Sequence, residues 1–593
     1  MTLHDILQRG VSRALTELFS AEVTPTDVQV QPTRKDFAGD ATVVVFPLLR
    51  HTKLGPEPSG EALGDWLVGH VDEVKGFNVV KGFLNVEATD GFWLDAFAAM
   101  RAAGICYGRG AETGRTIVLE YCGPNTNKPL HLGHVRNMLI GSSTARLLQW
   151  AGHDVHPVNI YNDRGIQICK SMLGWLRFGD GQTPSEAGEK GDHFVVRFYI
   201  AFEQAYREQV EALVADGMHR DEAKREAPLM REAREMLVAW EAGDPETVAL
   251  WERMNSWVYA GFDQTYRALG VSFERDYKES DHYRDGKKMV EAGLAEGRFQ
   301  RRDDGSIWAD LTDDGLDEKL LLRGDGTSVY LTQDMAIARA RYQDYAFDES
   351  IYVVGKEQDY HFQVLKLVLE KLGEDYADRI HHMWYGMVDL PDGRMKSREG
   401  NVVDADDLIA AMIDEARQNA EELGRIDDLD EVERAELHRR VGLAALKYHI
   451  LKVDPRKRVV FDPKESIDFQ GHTGPFIQYT YVRTRSVLRK TEDDRPGFDS
   501  SGYTLHPAEA AVVQHCAAFP DVVQDAASAY DVSRIAAFAY ELARRYNVFW
   551  TQCPVLTADD DNAVAFRLEL SALTGDVLRS AMEVLGIEMP ERM

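Results

Sequence analysis

The run of residues from Thr116 to Tyr161 constrains the fold more than any other part of the chain. It reads as a short buried strand (116–121), a loop of turn-forming residues (122–130), a helix from about 133 to 151 ended by Gly152, and a second strand (155–161). This order predicts a βαβ unit, and parallel sheets of this kind bind ligands beyond the carboxyl ends of their strands. Pro157 in the second strand favours an edge position.

The periodicity of the other regions predicts a chain of several globular domains. With 593 residues, 44% of them hydrophobic, a largely disordered or fibrous protein is excluded. Helical spacing in 3–19 and alternating stretches after it predict an α+β domain over 1–110. An α/β layer follows over 111–405, with a helical insertion at about 192–294 and buried strands at 328–331 and 350–355. From about 406 to the end, nearly everything has helical periodicity.

The charge is strongly negative overall but locally positive. The formal net charge of −30 argues against a protein that coats nucleic acid non-specifically. Between Arg439 and Lys490, however, twelve basic and four acidic residues give a net charge of +8. This stretch is either a solvated helical face or a contact for nucleic acid, and the charge alone leaves both open.

Several classes of protein lack support in the sequence. The opening residues have no signal-peptide pattern and no apolar run approaches 18 residues, so we expect a soluble cytoplasmic protein without a membrane partner. The five cysteines lie far apart without a CxxC pair, and no HExxH or other ligand cluster appears, so we expect no protein-bound metal. There is no G-x-x-x-x-G-K-[ST] phosphate loop.

The first motif with chemical meaning is His-Leu-Gly-His at 131–134, at the start of the predicted helix. Two imidazoles three residues apart on a first helical turn point the same way. The helix N-terminus favours anions, and Gly133 allows a nucleotide to approach the backbone. Two histidines on a helix are more often ordinary surface residues, but their position after a strand and a loop containing Lys128 favours a nucleotide and phosphate cradle.

The second motif is the loop GRMKSREGN at 393–401, in which Arg394, Lys396 and Arg398 lie between two glycines. Such a loop suits a mobile clamp on a leaving pyrophosphate, where positive charge stabilises the transition state. Seen alone, it also fits an ordinary basic turn.

Together the two motifs resemble the HIGH and KMSKS signatures of class I aminoacyl-tRNA synthetases. Longer segments resemble the arginyl-tRNA synthetases in particular: LEYCGPNTNKPLHLGHVRN (119–137), GTSVYLTQDMAIA (326–338), YVVGKEQDYHFQ (352–363), YGMVDLPDGRMKSREGNVV (385–403) and LGIEMPERM (585–593). RKDFAGDATVVVFPL (34–48) is similar to the extra N-terminal domain of that family, which touches the corner of the tRNA. These segments span nearly the whole chain in the family's order.

The resemblance implies a multi-domain α/β plus α protein. Its parts are an N-terminal α+β tRNA-contacting domain (1–110), a class I Rossmann-type catalytic domain with a helical insertion (111–405), a helical stem-contact region (406–465) and a helical anticodon-binding domain (466–593). It implies that L-arginine reacts with ATP, accompanied by Mg²⁺, to give arginyl-adenylate and diphosphate. The arginyl group then passes to the 3′ adenosine of tRNA(Arg). The family also implies a monomer whose arginine activation needs bound tRNA.

A guanidinium is a planar cation with five donors, so it requires carboxylates as partners. Glu120 ends the first strand, and Asp334 follows Tyr330 by four residues, so the latter two share a face if a helix begins there. The resemblance assigns Glu120, Tyr330 and Asp334 to the guanidinium of arginine. It assigns Asn125, His134 and Gln358 to the other end of that substrate.

The remaining expected sites also follow from the resemblance. Catalytic roles fall to Lys128, His131, His134, Lys396 and Arg398, and ATP binding to His131, Gly133, His134, Met387, Arg394, Met395, Lys396 and Ser397. For tRNA binding, the basic stretch supplies Arg456, Lys457, Arg458, Tyr479, Arg483 and Arg485, because aromatic and cationic groups together suit single-stranded bases. Alternatively, the tyrosines Tyr479 and Tyr481 belong to the core.

The chain departs from the family pattern at two points. The second lysine of KMSKS is absent, and the family assigns compensation to the lysine before the HxGH motif, here Lys128. A serine common two residues before the loop asparagine is Gly123 here. If its hydroxyl helps to hold substrate, a backbone amide or a water has to take its place.

Three rival functions make different predictions. A small nucleotidyltransferase of the HxGH superfamily would have one domain, which the long helical C-terminal part opposes. A catalytically silent relative that only binds RNA would lack the motif histidines or the carboxylate pair Glu120 and Asp334, yet all are present. A synthetase for lysine or glutamine would not need two carboxylates facing a planar fork.

Overall fold

The structure is a computed structural model that describes residues 2–34, 36–389, 403–423, 429–491, 497–558 and 560–593. It has two compact units, one of residues 1–107, 484–519 and 544–577, and the other of residues 108–483, 520–543 and 578–593. Each is described separately. The predicted domain boundaries near 110, 405 and 465 stay predictions.

The N-terminal part of the chain forms four helices and four strands. They are α1 (Leu3–Phe19), β1 (Val30–Pro32), β2 (Ala41–Val44), α2 (Leu49–Thr52), α3 (Pro56–His70), β3 (Val74–Val80), β4 (Phe83–Ala88) and α4 (Asp90–Ala103). The strands form an antiparallel sheet in the order β1-β2-β4-β3. The predicted helix 3–19 is confirmed, and its N-terminus is closed by a capping box between Thr2 and Asp5.

The middle of the chain carries the parallel sheet and its helices. Its elements are β5 (Thr116–Glu120), α5 (Leu132–Trp150), β6 (Asp154–Tyr161), α6 (Ile166–Phe178), α7 (Pro184–Ala187), α8 (Gly191–Ala215), α9 (Arg220–Glu226), α10 (Pro228–Ala242), α11 (Pro245–Leu269), β7 (Arg275–Lys278), α12 (Glu279–Ala295), β8 (Gln300–Arg301), β9 (Ile307–Ala309), β10 (Lys319–Leu322), α13 (Tyr330–Tyr345), β11 (Glu349–Gly355), α14 (Asp359–Leu372), β12 (Ile380–Tyr385) and β13 (Val388–Asp389).

The last part of the described chain is almost entirely helical, as its periodicity predicts. It contains α15 (Ala405–Leu423), α16 (Glu431–Leu451), β14 (Val459–Val460), α17 (Pro463–Ser466), α18 (Gly474–Arg489), α19 (Pro507–Ala517), α20 (Phe519–Ala529), α21 (Ser533–Gln552) and α22 (Asp561–Val584). None of the helices in the described ranges is long and apolar enough to cross a membrane.

The parallel sheet of the second unit has the order β12-β11-β5-β6-β7. The first strand of this sheet along the chain is β5. Strands β6 and β7 follow on one side of it, and β11 and β12 lie on its other side. The order therefore reverses between β5 and β11, where Glu120 lies opposite Tyr352 in register. The loops beyond this point of reversal are where open parallel sheets bind ligands. The predicted βαβ unit is confirmed.

Two local expectations are wrong. The segment 328–331 is not a strand, because α13 begins at Tyr330 and Ser328 makes only a single bridge to Leu322. A short apolar run does not distinguish a strand from a first helical turn. Pro157 lies on an interior strand, although the ladder of β6 with β7 starts only at Val158. The insertion 192–294 is mostly helical, as expected, and it also contains β7, whose four residues form no apolar run.

The first unit is built from both ends of the chain. Helix α4 packs on α19, and the ring of Phe97 lies 5.0 Å from that of Phe566 and 6.4 Å from that of Phe498, measured between centroids. Gln514 donates to the carboxylate of Asp40 at 2.8 Å. The N-terminal sheet and helices therefore share a core with segments from the last 110 residues.

Candidate active site

A cavity of about 930 Å³ opens at the carboxyl ends of β5 and β11. It brings together residues that are up to 283 positions apart in the chain, including residues of β5, α5, α13, β11, the start of α14 and β13. Nine of the residues expected from the sequence line it: Glu120, Asn125, His131, Gly133, His134, Tyr330, Asp334, Gln358 and Met387. The predicted arginine-binding set and the described part of the predicted ATP-binding set thus face one space.

The two motif histidines close the N-terminus of α5 with one ring nitrogen each. His131 is the N-cap residue, and its Nδ1 accepts from the Gly133 amide at 3.1 Å. The Nδ1 of His134 accepts from the His131 amide at 3.2 Å. In a neutral imidazole whose Nδ1 accepts, the proton is on Nε2. Each ring therefore keeps an Nε2–H donor.

Both imidazoles are held in the neutral form. Burial, followed by the neighbouring His131, lowers the pKa of His134 to about 3. Burial and the Lys128 ammonium also lower the pKa of His131, against the opposing charge of Asp404. At neutral pH the start of α5 thus offers backbone amides and two neutral N–H donors, an arrangement suited to phosphate oxygens.

Glu120, at the end of β5, already has one partner. Nη2 of Arg341, a fully buried side chain on α13, donates to Oε2 of Glu120. Oε1 of Glu120 has no hydrogen-bond partner among the described residues. One carboxylate oxygen is used by the fold and the other remains for a ligand in the cavity.

Asp334 shows the same division. Its Oδ2 lies 2.6 Å from Nε2 of His361 on α14, while Oδ1 has no hydrogen-bond partner within the described ranges. Burial opposes the charged imidazole, but the hydrogen bond and the charge of Asp334 together raise the pKa of His361. Tyr330 and Asp334 lie in the first two turns of α13, as their four-residue spacing predicts.

Asn137 connects the two strands that border the cavity. Its Oδ1 accepts from the amide of Cys122 at 2.5 Å, and its Nδ2 donates to the carbonyl of Val353 at 2.7 Å. Cys122 and Gly123 both have positive φ, 82° and 60°, so the chain turns sharply after β5. The Gly123 amide donates to Asn159 at 3.2 Å. That amide is therefore committed and does not replace the missing serine hydroxyl.

Arg136 joins the motif helix to two later segments. It is fully buried and donates to the carbonyls of Gly386 (2.8 Å), Pro455 (3.0 Å) and Lys457 (2.7 Å). Burial lowers its pKa to about 10, so it stays charged at neutral pH. Gly386 lies close to this junction, because a Cβ there would come within 2.6 Å of the Lys457 carbonyl.

The backbone just after residue 402 is fixed to the first motif. The amide of Leu132 donates to Val403, the amide of Ala405 donates to Leu130, and His131 and Asp404 form a bridge. Asp404 and Asp406 in turn bind His193, at 3.1 and 3.3 Å. The two carboxylates outweigh burial and raise the pKa of His193 to about 10.

The same cluster has the spacing of metal ligands, since oxygen or nitrogen atoms of Asp192, His193 and Asp406 approach one another closely. Lys190 already donates to Asp192 at 3.2 Å and to Asp406 at 2.6 Å, and His193 is protonated. Two cations therefore fill the place of a metal, and we assign none. Sequence reasoning found no chemistry in this region because its partners are more than 200 residues apart.

The basic residues 456–458 lie near the cavity mouth. All three are exposed, and β14 directly after them pairs in parallel with β13, whose residues Val388 and Asp389 line the cavity. Arg458 forms an ion pair with Asp389. Lys128, by contrast, does not line the cavity; its ammonium is exposed and lies 5.9 Å from the ring centroid of Tyr199.

The predicted tRNA-binding residues of α18 are partly exposed. The guanidinium of Arg483 lies 5.1 Å from the ring centroid of Tyr479, and Arg485 is likewise half-buried. Tyr481, in contrast, is only 1% exposed and donates to Glu591 at 2.8 Å. For Tyr481 the core alternative is therefore correct. The predicted residues Arg394, Met395, Lys396, Ser397 and Arg398 lie outside the described residues.

Sequence reasoning missed Asn137, Arg136 and Arg341. One asparagine and two arginines are buried in helices, where a polar side chain is unfavourable unless it has hydrogen-bond partners. Such burial would have marked these residues as unusual. The sequence alone does not show which face of each helix is buried, so it could not reveal that these three side chains are. All five cysteines carry free thiols.

Comparisons with known proteins agree with this geometry. Residues 99–462 match the family model "tRNA synthetases class I (R), catalytic domain", and residues 477–593 match "DALR anticodon binding domain". Proteins named arginine–tRNA ligase from Bacteroides fragilis and Phocaeicola vulgatus are each 49% identical to the chain, over 100% of both sequences.

The solved structure of the Thermus thermophilus arginyl-tRNA synthetase superposes with a TM-score of 0.79 at 25% identity, covering 100% of both chains. A Plasmodium falciparum arginyl-tRNA synthetase structure shares the fold, with a TM-score of 0.73 at 18% identity over 99% of this chain and 98% of that one. The chain therefore belongs to the arginyl-tRNA synthetase family, the class I enzymes that use ATP to attach arginine to tRNA.

Proposed function

We propose that the cavity binds arginine with its guanidinium between Glu120 and Asp334. The observation that carries this assignment is that both carboxylates face one cavity and each has an oxygen without a partner among the described residues. A planar cation with two terminal nitrogens can donate to both at once. Tyr330, 78% exposed and one turn before Asp334, covers the guanidinium from the side.

The other end of arginine then points toward the start of α5. Asn125 and Gln358 are exposed on opposite borders of the cavity, where they can bind the α-amino and carboxylate groups. The adenosine and α-phosphate of ATP lie along His131, Gly133, His134 and Met387. The two Nε2–H donors bind the α-phosphate oxygens as charge builds up there during attack by the arginine carboxylate.

Lys396 and Arg398, with Arg394, Met395 and Ser397 beside them, hold the leaving diphosphate in this proposal, which for these residues rests on the family motif alone. The exposed Lys128 ammonium forms no ion pair among the described residues, contacts only the ring of Tyr199 there, and can turn toward the phosphates. Catalysis then consists mainly of positioning and electrostatic stabilisation.

The tRNA acceptor stem contacts Arg456, Lys457 and Arg458, which lie beside the cavity mouth. The anticodon loop contacts α18 through Tyr479, Arg483 and Arg485. We also propose the predicted four-part domain division, a monomer, and a cytoplasmic location. Mg²⁺ accompanies ATP in this proposal, bound through the phosphates.

The experiment that tests the arginine site is ATP–diphosphate exchange with each of the twenty amino acids, with and without unfractionated tRNA. We expect exchange with arginine alone and only when tRNA is present. Asp334→Asn should raise the KM for arginine at least tenfold and leave the KM for ATP within twofold. Exchange with another amino acid, or an equal loss for both substrates, would contradict the assignment.

The tRNA contacts are tested by charge removal at two places. Arg456, Lys457 and Arg458 changed together to alanine, and Arg483 and Arg485 changed to alanine, should each weaken tRNA binding and reduce its salt slope by roughly 0.7–0.9 per lost phosphate contact. Arg267→Ala is the control, because Arg267 is an exposed arginine outside the proposed tRNA-contacting regions and pairs with Asp263 within its own helix. If tRNA affinity falls no more than in the control variant, these residues are an ordinary solvated surface and do not contact tRNA.

A further inference from the structure

A guanidinium of the protein itself, that of Arg341, lies behind the wall of the proposed arginine cavity. Tyr330, Asp334 and Arg341 are spaced four and seven residues apart on α13, so they follow one another along a single helix face. Tyr330 is at the cavity mouth and 78% exposed, whereas Arg341 is 0% exposed. Arg341 therefore lies on the far side of Glu120 from solvent.

The surroundings of Arg341 fix its position closely. Its guanidinium carbon is 5.1 Å from the ring centroids of both Tyr277 and Tyr352, and Nη2 donates to Oε2 of Glu120. Its Nε and Nη1 are buried without a hydrogen-bond partner among the described residues. Two orphan donors are costly, and a buried ion pair is at best weak stabilisation. Fold stability alone therefore does not account for this side chain.

The pairing determines what Glu120 can offer a ligand. A free carboxylate accepts a guanidinium through both oxygens, in a bidentate fork. Arg341 occupies one lone pair of Oε2, which leaves Oε1 as the oxygen of Glu120 without a partner among the described residues, and the second bond of a bound guanidinium then comes from Asp334. A side chain with two separated N–H donors satisfies both carboxylates. A single ammonium does not bridge them in the same way.

We propose that Arg341 is a specificity-determining positioning residue, which holds Glu120 by one oxygen so that the cavity selects a guanidinium able to span Glu120 and Asp334. This inference rests on the proposed role of Glu120 in binding arginine. It adds that the selectivity is set from behind the cavity, by a residue that never touches the substrate.

The test is a double-mutant cycle on steady-state tRNA-dependent exchange. Arg341→Met should raise the KM for arginine at least tenfold, with the KM for ATP within twofold of the wild-type value. In a Glu120→Gln background, adding Arg341→Met should change the KM for arginine less than threefold, because the residue through which Arg341 acts is already lost. Equal effects of Arg341→Met in both backgrounds, or no effect, would overturn the proposal.

Two further variants keep the result interpretable. Arg339→Met is the matched control, since Arg339 is two residues away on α13 and pairs with Glu374, which does not line the cavity; its KM for arginine should stay within twofold. If Arg341→Met does not fold, Arg341→Lys retains the charge but not the planar fork. We then expect the KM for arginine to rise at least threefold with the KM for ATP unchanged, and a parallel rise of both would overturn the proposal.

Failure of the wider assignment would look different. If Glu120→Gln alone leaves the KM for arginine unchanged, Glu120 is not an arginine ligand and the proposed function of the site is wrong. If Glu120→Gln has its expected effect but the cycle shows no coupling, only the role of Arg341 is wrong.

Discussion

His131 and His134 each commit one ring nitrogen to the helix and keep the other for the cavity. This division has a practical consequence for mutagenesis. Alanine at either position removes a helix cap as well as a ligand, so its effect mixes the stability of α5 with catalysis. Amide side chains separate the two, because the asparagine oxygen mimics Nδ1 and the glutamine amide mimics Nε2.

We expect His134→Asn to slow tRNA-dependent ATP–diphosphate exchange at least tenfold, about 1.4 kcal/mol of transition-state stabilisation. His134→Gln restores a donor at the position of Nε2 and should lose less. Exchange rates at saturating arginine and ATP measure the difference. Equal rates for the two amide variants would mean that His134 serves only the helix.

Glu279 provides a pH-dependent prediction. Burial raises its pKa to about 7, and Asp163 and Asp334 add to that rise while Arg164 opposes it. A raised pKa means that the folded chain binds a proton between about pH 4.5 and 7 that the unfolded chain has released. The contribution of Glu279 to stability therefore declines as the pH rises through that window.

Glu279→Gln keeps the shape and removes this titration. The melting temperature of the wild-type chain should fall relative to that of the variant as the pH is raised from 5 to 8. Thermal unfolding monitored at several pH values provides the comparison. Parallel curves for the two proteins would assign the proton to another group.

At the scale of elements, α5 is the central helix of the second unit. It is buried on nearly all sides and packs against the sheet as well as α15 and α16. Arg136 extends this role, because one side chain ties α5 to the segments ending β12 and preceding β14. This guanidinium therefore supports the cavity wall around Met387, together with the pairing of β13 and β14.

Arg136→Lys should be costly, since an ammonium on a flexible stem does not reach three carbonyls arranged for a planar fork. We expect a loss of about 2–4 kcal/mol of stability from the broken charged hydrogen bonds. Denaturant unfolding of the second unit, followed by tryptophan fluorescence, measures it. The change Arg164→Lys is a useful reference, because that arginine is also largely buried but pairs with carboxylates of Glu241 and Glu279. An equal loss in both variants would show that burial, not the three carbonyls, sets the cost.

Many of these helices and strands could be predicted from the sequence, and each wrong or missing prediction has a physical cause. The strand, helix and strand around residues 116–161 follow from local periodicity and a terminating glycine, and Tyr330 and Asp334 from helical spacing. The pair Arg341–Glu120 joins residues 221 positions apart, and no local pattern encodes it. Strand β7 was missed because only one of its four residues is buried, so it lacks the apolar pattern of a strand.

At the scale of the whole molecule, the first unit combines residues 1–107 with 484–519 and 544–577. The apolar face of α4, with Trp93, Leu94, Phe97 and Met100 buried, packs on helices from the far end of the chain. Part of the core of the N-terminal segment is therefore supplied by residues from the C-terminal part of the chain.

An isolated fragment of residues 1–107 should accordingly lose the order of α4 and expose these side chains to water. We expect binding of a hydrophobic dye and rapid amide exchange in α4, with slower exchange in the sheet strand β4. Adding a fragment of residues 470–593 in trans should suppress both signals. A fragment with protected α4 amides on its own would contradict this expectation.

The backbone bridge between His131 and Asp404 bears on how much sequence the enzyme can accept between its two motifs. Because that bridge ties the two ends together, the closure entropy of the enclosed chain grows only by about 0.6 kcal/mol for each doubling of its length. The turns at Gly217 and Gly243, both exposed and in the left-handed region, lie inside this loop and away from Lys190 and His193. A foreign domain inserted at either turn should leave the distance between the two motifs unchanged. These turns of the helical insertion are therefore suitable positions for a fluorescent reporter or an affinity module.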